Sequence, residues 1–301
     1  MWCSEDRGWV AKRRRRSALP LSLYLALLLG SVGFARSATL LVPEDYATIQ
    51  AAVDASVPGD TVLLRQGLYR GPGNRGIDFR GKDIVLKSIS GPEWTVLDCE
   101  NADRGFYFHE GESRAARVEG IGIWNGQVGA AGVGWGGGLH IQGSDPTISD
   151  CIIQYCEADD GGGVYVLSNG SRIERCVIRA NIADGAGGGI VVPWGAAEIV
   201  DCVITGNGVF GGDGGGLALV SAEDVLVRGC TISGNCPEGV WIGEPTTLEN
   251  CIIWGNGGTG GEHEIWTGWS GASLICCAVD TTGVTPGAAI EYESCVYTDP
   301  L

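Results

Sequence analysis

Basic residues are scarce in this sequence, and none of them follows Arg228. The chain has 20 lysines and arginines against 36 aspartates and glutamates, so its formal net charge is −16 at pH 7. Such a chain repels nucleic acids and anionic lipid surfaces, which excludes both as expected partners. It also repels acidic polysaccharides, unless a cation such as calcium bridges the two polymers.

The sequence also lacks the spacing of a cysteine-based zinc site. It contains 12 cysteines and 3 histidines, but no paired C-x-x-C motif with a histidine close by. Structural zinc sites are built from such pairs. We therefore expect no cofactor, with calcium at an acidic turn as the alternative.

No apolar run is long enough to form an ordinary membrane-spanning helix. The stretch at residues 19–34 is apolar, but it is shorter than the roughly 20 residues such a helix needs. It follows a basic run at residues 12–16 and precedes small residues, which predicts a signal peptide over residues 1–37. A single N-terminal anchor is the alternative. The mature chain is predicted to be secreted or held at a bacterial cell surface, without membrane insertion.

Glycine is abundant and periodic. One pattern recurs five times with a period of about 25 residues, at 136–160, 161–186, 187–213, 214–238 and 239–264. The first four copies open on Gly-Gly-Gly and an aliphatic residue, as in GGGVYVLSNGSRIERCVIRANIADGA. A period of this length is typical of solenoid proteins, which grow along one axis and need no second core.

Each copy holds short strands and no room for a helix. A run such as Val164-Tyr165-Val166 alternates apolar and variable residues, which predicts a strand with one buried face. An I-x-x-C-x-I pattern follows, and its two isoleucines have opposite parity, so a bend must fall between the first isoleucine and the cysteine. These features exclude leucine-rich and helical repeats and predict a parallel coil of strands.

An asparagine recurs three residues after the second isoleucine, at Asn181, Asn207, Asn235 and Asn256, and Cys156 takes this place in the first copy. Stacked asparagines can bond one another through their side-chain amides. With this ladder, the chain resembles right-handed parallel β-helix proteins of the pectin-lyase-like superfamily. The pairing of GGG-[LVI] with I-x-x-N is also similar to the repeats of the chlamydial polymorphic outer-membrane proteins. The resemblance implies an all-β solenoid of eight to nine coils, and this fold hosts many functions.

The segment before the repeats predicts a cap. TIQAAVDAS…PGDTVLL…GLY resembles the entry segment of exported β-helix proteins, and residues 48–55 place Ile49, Ala52 and Val53 on one helical face. We therefore expect one β-helix domain over residues 38–301 with a short N-terminal capping helix, and a monomer. The abrupt ending VYTDPL suggests a coding sequence truncated at its C-terminus.

Six cysteines recur in phase with the inward isoleucines: Cys151, Cys176, Cys202, Cys230, Cys251 and Cys276. Stacked about 4.8 Å apart, they lie within the range of a disulfide. Buried cysteine used as a small apolar filler is the preferred interpretation, because parallel in-register stacking disfavours the disulfide torsion.

In pectinase-like β-helices the polysaccharide binds on the outward face of the strand that here follows each glycine triplet. The outward residues predicted in successive coils are Tyr107, His140, Tyr165, Val191, Ala218 and Trp241. The aromatic members suit stacking on sugar rings, which makes Tyr107, His140, Tyr165 and Trp241 candidate glycan contacts. They are also ordinary strand formers on a half-exposed sheet.

Four acidic residues precede the glycines that open successive units: Asp160, Asp184, Asp213 and Glu238. Aligned along one turn, they are candidate calcium ligands, although Asp-Gly is also favourable turn chemistry. The predicted outward residues include no pair of carboxylates for glycoside hydrolysis. Asp159-Asp160 lacks the flanking motifs of polygalacturonases. Arg172, Arg175 and Arg179 form the one basic cluster, on a face predicted to be solvated.

The main functional hypothesis is a non-catalytic surface or extracellular protein, adhesin-like or in contact with an extracellular polysaccharide or cell-surface glycan. No catalytic residue is assigned. The alternative is a polysaccharide lyase or glycoside hydrolase that acts on an extracellular polysaccharide.

Overall fold

The computed structural model describes residues 37–129, 134–222, 224–257, 263–268, 271–280, 283–284 and 290–295. The predicted signal peptide, apart from Ser37, and the ending VYTDPL lie outside these residues. No helix in the described ranges is long and apolar enough to cross a membrane.

The described chain consists of short strands and one helix, α1, at Ile49–Ala55. The strands before the regular repeats are β1 Thr39–Val42, β2 Thr61–Leu64, β3 Gly67–Tyr69, β4 Ile77–Asp78, β5 Val85–Ser88, β6 Thr95–Asp98, β7 Phe106–Phe108, β8 Arg117–Glu119 and β9 Gly122–Trp124. The next strands are β10 Leu139–Gln142, β11 Thr147–Ser149, β12 Ile152–Gln154, β13 Glu157–Ala158, β14 Val164–Glu174, β15 Val177–Arg179, β16 Ile182–Ala183, β17 Ile190–Val200, β18 Val203–Thr205 and β19 Gly208–Val209. The last are β20 Leu217–Ala222, β21 Leu226–Arg228, β22 Thr231–Ser233, β23 Val240–Ile242, β24 Thr246–Glu249, β25 Ile252–Trp254, β26 Ile265–Thr267, β27 Ala272–Ile275, β28 Ala278–Val279 and β29 Ile290–Glu293.

The strands stack into a solenoid with three long faces, as predicted. The first face contains β4, β7, β10, β20, β23, β26 and the first halves of β14 and β17. The second contains β1, β2, β5, β8, β11, β21, β24, β27, β29 and the second halves of β14 and β17. A nine-stranded sheet, from β3 to β28, forms the third face, and β13, β16 and β19 form a short fourth sheet. Every pairing between these strands is parallel. The register of β14 and β17 shifts between Tyr165 and Leu167 and again between Ser168 and Ser171.

The predicted bend between the second and third faces is a left-handed residue in each coil. Asp150 has φ +56, and the equivalent Arg175, Asp201 and Asn250 have φ +52 to +53. This single residue reverses the parity of the chain, so Ile148 before it and Ile153 after it both point inward and are buried.

The asparagine ladder forms a continuous column of hydrogen-bonded amides. Asn181 Nδ2 donates to Asn207 Oδ1 at 3.0 Å, Asn207 Nδ2 to Asn235 Oδ1 at 3.0 Å, and Asn235 Nδ2 to Asn256 Oδ1 at 2.9 Å. Each Nδ2 also donates to a backbone carbonyl of the coil below. Cys156 adds its backbone N–H to Asn181 Oδ1, and buried Glu264 ends the column by accepting from Asn256 Nδ2 at 2.6 Å.

The third glycine of each triplet packs directly on this column. A Cβ at Gly163 would lie 2.5 Å from the carbonyl oxygen of Gly189 and 3.0 Å from Asn181 Nδ2. No side chain fits in that space, so the glycines are required by the distance between neighbouring coils.

The N-terminal cap is confirmed. Thr48 is the N-cap of α1 and accepts a hydrogen bond from the backbone N–H of Ala51 at 3.3 Å. Ile49, Ala52 and Val53 are buried at the end of the core. The helix thus covers apolar surface that the first coil would expose.

The cysteine column is confirmed except at its last member. Cys151, Cys176, Cys202, Cys230 and Cys251 are buried and unpaired, but the next member is Cys277 and the prediction of Cys276 was wrong. Cys276 occupies the left-handed bend, with φ +52, and is exposed. Cys277 then points inward and its Sγ accepts the backbone N–H of Cys251 at 3.5 Å.

Replacement of Asn207 by alanine tests the amide column. The change removes the acceptor of the Asn181 backbone N–H and side-chain amide, and the donor to Asn235 Oδ1 and the carbonyl of Ile178. Buried groups left unpaired cost about 1–3 kcal/mol each. We expect Asn207→Ala to lower the free energy of unfolding by about 3 kcal/mol or more, measured by urea denaturation.

Asn169→Ala is the matched control, because Asn169 is exposed on the surface. Its effect should stay within about 0.5 kcal/mol. Equal effects of the two substitutions would contradict a structural role for the column.

Candidate functional site

The outward column of the first face has the predicted register. Tyr107 pairs with His140, His140 with Tyr165, and the column continues through Val191 and Ala218 to Trp241. It extends further at both ends, to Asp78 before Tyr107 and to Trp266 after Trp241. We call the eight residues of this column the ridge.

The middle of the ridge is covered. Although they point outward, His140 and Tyr165 are only 4% and 5% exposed. Tyr165, Val191 and Ala218 form a small apolar cluster of their own, packed with partly buried neighbours, namely Leu167, Ala186 and Val220. The ridge therefore presents two separate aromatic ends in place of one continuous exposed strip.

At the N-terminal end, aromatic rings from three coils come together. Tyr107 stacks on His109 with ring centroids 3.9 Å apart, and its ring lies 4.9 Å from His140. Trp135 stacks on Tyr165 at 5.4 Å, and His140 contacts both of these rings edge-on. We call these five residues the aromatic cluster. Tyr107 and His109 are half-buried and Trp135 is 36% exposed, so the cluster has an open surface.

The guanidinium of Arg104 places a positive charge inside this cluster. Its guanidinium lies over the Tyr107 ring, 4.9 Å from the centroid, and hydrogen-bonds His140 Nδ1. The carboxylate that pairs with it, Asp103, is 4.0 Å away, at the limit of an ion pair. Burial lowers the pKa of Arg104, whose side chain is 18% exposed.

The contact with Arg104 fixes the state of His140. A guanidinium can only donate, so Nδ1 accepts and the ring proton belongs on Nε2. Burial, with Arg104 and His109 nearby, lowers the pKa of His140 to about 3. His140 Nε2 is buried and has no hydrogen-bond partner among the described residues.

The C-terminal end of the ridge is a pair of tryptophans. Trp241 and Trp266 are half-buried and stack with centroids 5.6 Å apart and an angle of 10° between the planes. The Trp241 indole N–H is buried and lacks a hydrogen-bond acceptor in the described part of the chain. No arginine or lysine follows Arg228, so this end has no cation of its own.

Comparison with known proteins identifies the fold. A family model described as "Right handed beta helix region" matches residues 137–279. Pectin methylesterase from carrot has a TM-score of 0.55 at 15% identity, with 86% of this chain and 89% of that chain covered. The A-module of the Azotobacter vinelandii mannuronan C-5 epimerase AlgE4 has a TM-score of 0.52 at 18% identity, with 80% and 76% covered. The chain is a right-handed β-helix. Its fold is similar to that of these two solved structures, and identities this low establish the fold alone. A search of curated protein sequences gave no match.

Two of the four calcium candidates serve the turns of this β-helix. Asp160 Oδ1 accepts the backbone N–H of Ala186 at 2.7 Å, and Glu238 Oε2 accepts that of Gly214 at 2.8 Å. Burial raises the pKa of both Asp213 and Glu238. Asp160, Asp184, Asp213 and Glu238 form no group of three clustered ligand atoms in the described ranges. Calcium binding at these turns remains a prediction.

The three arginines of the predicted basic cluster contact acidic or polar side chains. Arg172 pairs with Glu174 and Glu198, and Arg175 pairs with Glu174 and Asp150. Arg179 is exposed and donates to Gln154. The prediction of one shared face was wrong, because Arg172 lies in β14, Arg175 at the left-handed bend and Arg179 in β15 on the third face. Arg104 is the cation that contacts the ridge.

Sequence reasoning missed Arg104, His109 and Trp135. Arg104 and His109 flank β7, and Trp135 ends the insertion at residues 127–135, so all three lie before the regular repeats. The sequence contained one weak signal. Two of the three histidines, His109 and His140, lie in neighbouring coils, and the alternation predicts that both point outward, as Tyr107 does.

The low pKa of His140 makes stability depend on pH. The unfolded chain takes up a proton at this imidazole below about pH 6.5, whereas the folded chain resists protonation down to about pH 3. The stability contributed by neutral His140 is therefore complete above pH 6.5 and is lost as the pH falls toward 3.

We expect the assigned His140 imidazole to keep its neutral NMR chemical shift down to about pH 4. In His140→Gln, the fall in unfolding free energy between pH 6.5 and 4 should be shallower by up to about 1.4 kcal/mol per pH unit. A midpoint near 6.5 for His140 would contradict its burial against Arg104.

Proposed function

We propose that this β-helix is an exported protein that binds an extracellular polysaccharide across its aromatic cluster. The observation that carries the proposal is the position of Arg104 between the Tyr107 ring and His140, next to open aromatic surface. Aromatic faces suit stacking on the apolar side of a sugar ring. A guanidinium binds carboxylates through two parallel hydrogen bonds.

The position of this cation favours an acidic polysaccharide. In a chain of net charge −16, most of the surface repels a polyuronate, so binding is restricted to places where a cation is available. Arg104 provides such a place within the aromatic cluster. The names of the two structural relatives, a pectin methylesterase and a mannuronan C-5 epimerase, support the same class of ligand.

The N-terminal end of the ridge is the better binding site of the two. The Trp241–Trp266 pair offers stacking surface but no neighbouring cation. Export, predicted from residues 1–37, would place the cluster where such polymers occur and is part of the proposal.

Tyr107→Ala tests the stacking surface. Tyr107 is half-exposed, and loss of one aromatic contact is worth about 1–1.5 kcal/mol, so affinity for polygalacturonate or polymannuronate should fall about tenfold. Isothermal titration calorimetry would measure the change. Trp241→Ala should leave the affinity unchanged if the binding site is confined to the N-terminal end.

Two controls match these changes. Tyr155 and Trp94 are 57% and 63% exposed and lie outside the ridge. Tyr155→Ala and Trp94→Ala should therefore have no effect on binding. An unchanged affinity in Tyr107→Ala would contradict the proposal that the polysaccharide binds at the aromatic cluster.

A polysaccharide lyase is the second candidate function. A lyase neutralises the uronate carboxylate and removes the proton from the carbon next to it. As the double bond forms, the bond between the following ring carbon and the glycosidic oxygen breaks, and that oxygen leaves with a proton from water. Arg104 can do the first, and Tyr107 or His109, stacked 3.9 Å apart, can act as the base. Unsaturated products from a uronate polymer, absent with Arg104→Gln, would establish this activity. Tight binding without product would restrict the function to glycan binding.

A further inference from the structure

Three potential metal ligands meet where two coils of the first face lie side by side. Asp78 is the last residue of β4, and His109 and Glu110 directly follow β7. One ligand atom from each of these side chains lies within 4.8 Å of the other two, and Asp78 Oδ2 is 3.5 Å from His109 Nε2. Among the described residues, no other group of three His, Cys, Asp or Glu side chains meets this condition.

Asp78 is fixed by its neighbours. Its backbone N–H donates to Gln50 Oε1 at 2.9 Å, and its carbonyl accepts from Gln50 Nε2 at 3.0 Å. Oδ1 accepts the N–H of Arg80 at 2.8 Å, which leaves Oδ2 directed toward His109. One carboxylate oxygen is thus positioned by the fold.

His109 and Glu110 are fixed from the other side. The His109 ring stacks on Tyr107. The Glu110 backbone N–H donates to Glu112 Oε2 at 3.1 Å, and buried Glu112 also accepts from Gly81 N–H and the Ser144 hydroxyl. The ligands therefore stand on a rigid, hydrogen-bonded support.

Among the described residues, the two carboxylates also lack an arginine or lysine partner. In the described ranges neither Asp78 nor Glu110 forms an ion pair with an arginine or lysine, whereas neighbouring Asp54, Asp98 and Glu100 each do. Two negative charges held close together repel each other, and a dication would neutralise both.

We propose that Asp78, His109 and Glu110 bind a divalent transition-metal ion of the zinc class. Carboxylate oxygen and imidazole nitrogen are ligands that zinc accepts, about 2.0–2.2 Å from the ion. Ligand atoms around such an ion lie roughly 3–4 Å apart, so the ligand atoms, at most 4.8 Å apart here, approach one another by up to about 2 Å on binding. Calcium is disfavoured because it requires six to eight oxygen ligands.

With three protein ligands, the ion keeps one coordination position open. His109 stacks on Tyr107, so the ion lies at the edge of the aromatic cluster. The metal site does not depend on polysaccharide binding.

Zinc titration of the mature chain tests the proposal. The exposed thiols of Cys236 and Cys276 also bind zinc, so the parent protein carries Cys236→Ser and Cys276→Ser. Calorimetry should give one zinc ion per chain and no comparable calcium binding. The melting temperature should rise with zinc concentration, because the ion binds the folded state.

Variants locate the ion. His109→Gln and Asp78→Asn should each weaken zinc binding at least tenfold and abolish the thermal shift, with folding verified by circular dichroism. His263→Gln, which changes the histidine near the other end of the solenoid, should have no effect. Undiminished affinity in both site variants, or loss of binding in His263→Gln, would overturn the proposal.

The metal-site proposal and the polysaccharide proposal can be tested independently. Arg104→Gln removes the cation of the aromatic cluster and leaves Asp78, His109 and Glu110 in place. If zinc binding persists in this variant while no polysaccharide binds even to the parent protein, the metal site stands and the glycan proposal falls.

Discussion

The close stacking of one coil on the next is the constraint on which the rest of the structure depends. It is set where the asparagine column meets the third glycine of each triplet, because the amide and the neighbouring carbonyl leave no space for a Cβ. Each coil that carries both the glycine and the asparagine has one such contact, and the contact has one register. Every outward side chain of the first face is thereby brought into one column.

This constraint explains why the sequence predicts so much of the fold. Glycine, isoleucine and asparagine recur at constant phase, so the register of Tyr107, His140 and Tyr165 follows from alternation alone. The prediction fails where the pattern weakens. The coil that ends at Cys277 lacks the glycine triplet and the asparagine, so the sequence offers no marker to decide which of the two adjacent cysteines takes the bend.

Exposure is much harder to predict than register. The side chains of His140 and Tyr165 point outward, as alternation predicts, but they are buried. Trp135 and Ala186, which lie outside the strands, pack against them. The residue before the glycine triplet takes the same place in successive coils, at Trp135, Asp160, Ala186 and Asp213, but its type changes from coil to coil, so the periodic pattern does not report the cover. For the same reason Arg104, His109 and Glu110 escaped notice: they belong to an irregular coil, and only the folded chain brings Glu110 next to Asp78.

The candidate functional side chains are concentrated in the irregular coils. In the third and fourth repeats the ridge positions are Val191 and Ala218, and apolar neighbours cover them. Variation in a solenoid is cheapest at the coils next to the cap, where an altered turn does not shift a long column above it. The described β-helix follows this logic, since its ridge cation, its clustered metal ligands and its densest aromatic contacts all lie between β4 and β14. The repeats supply a rigid support, and the departures from the repeat supply most of the side chains of the two proposed sites.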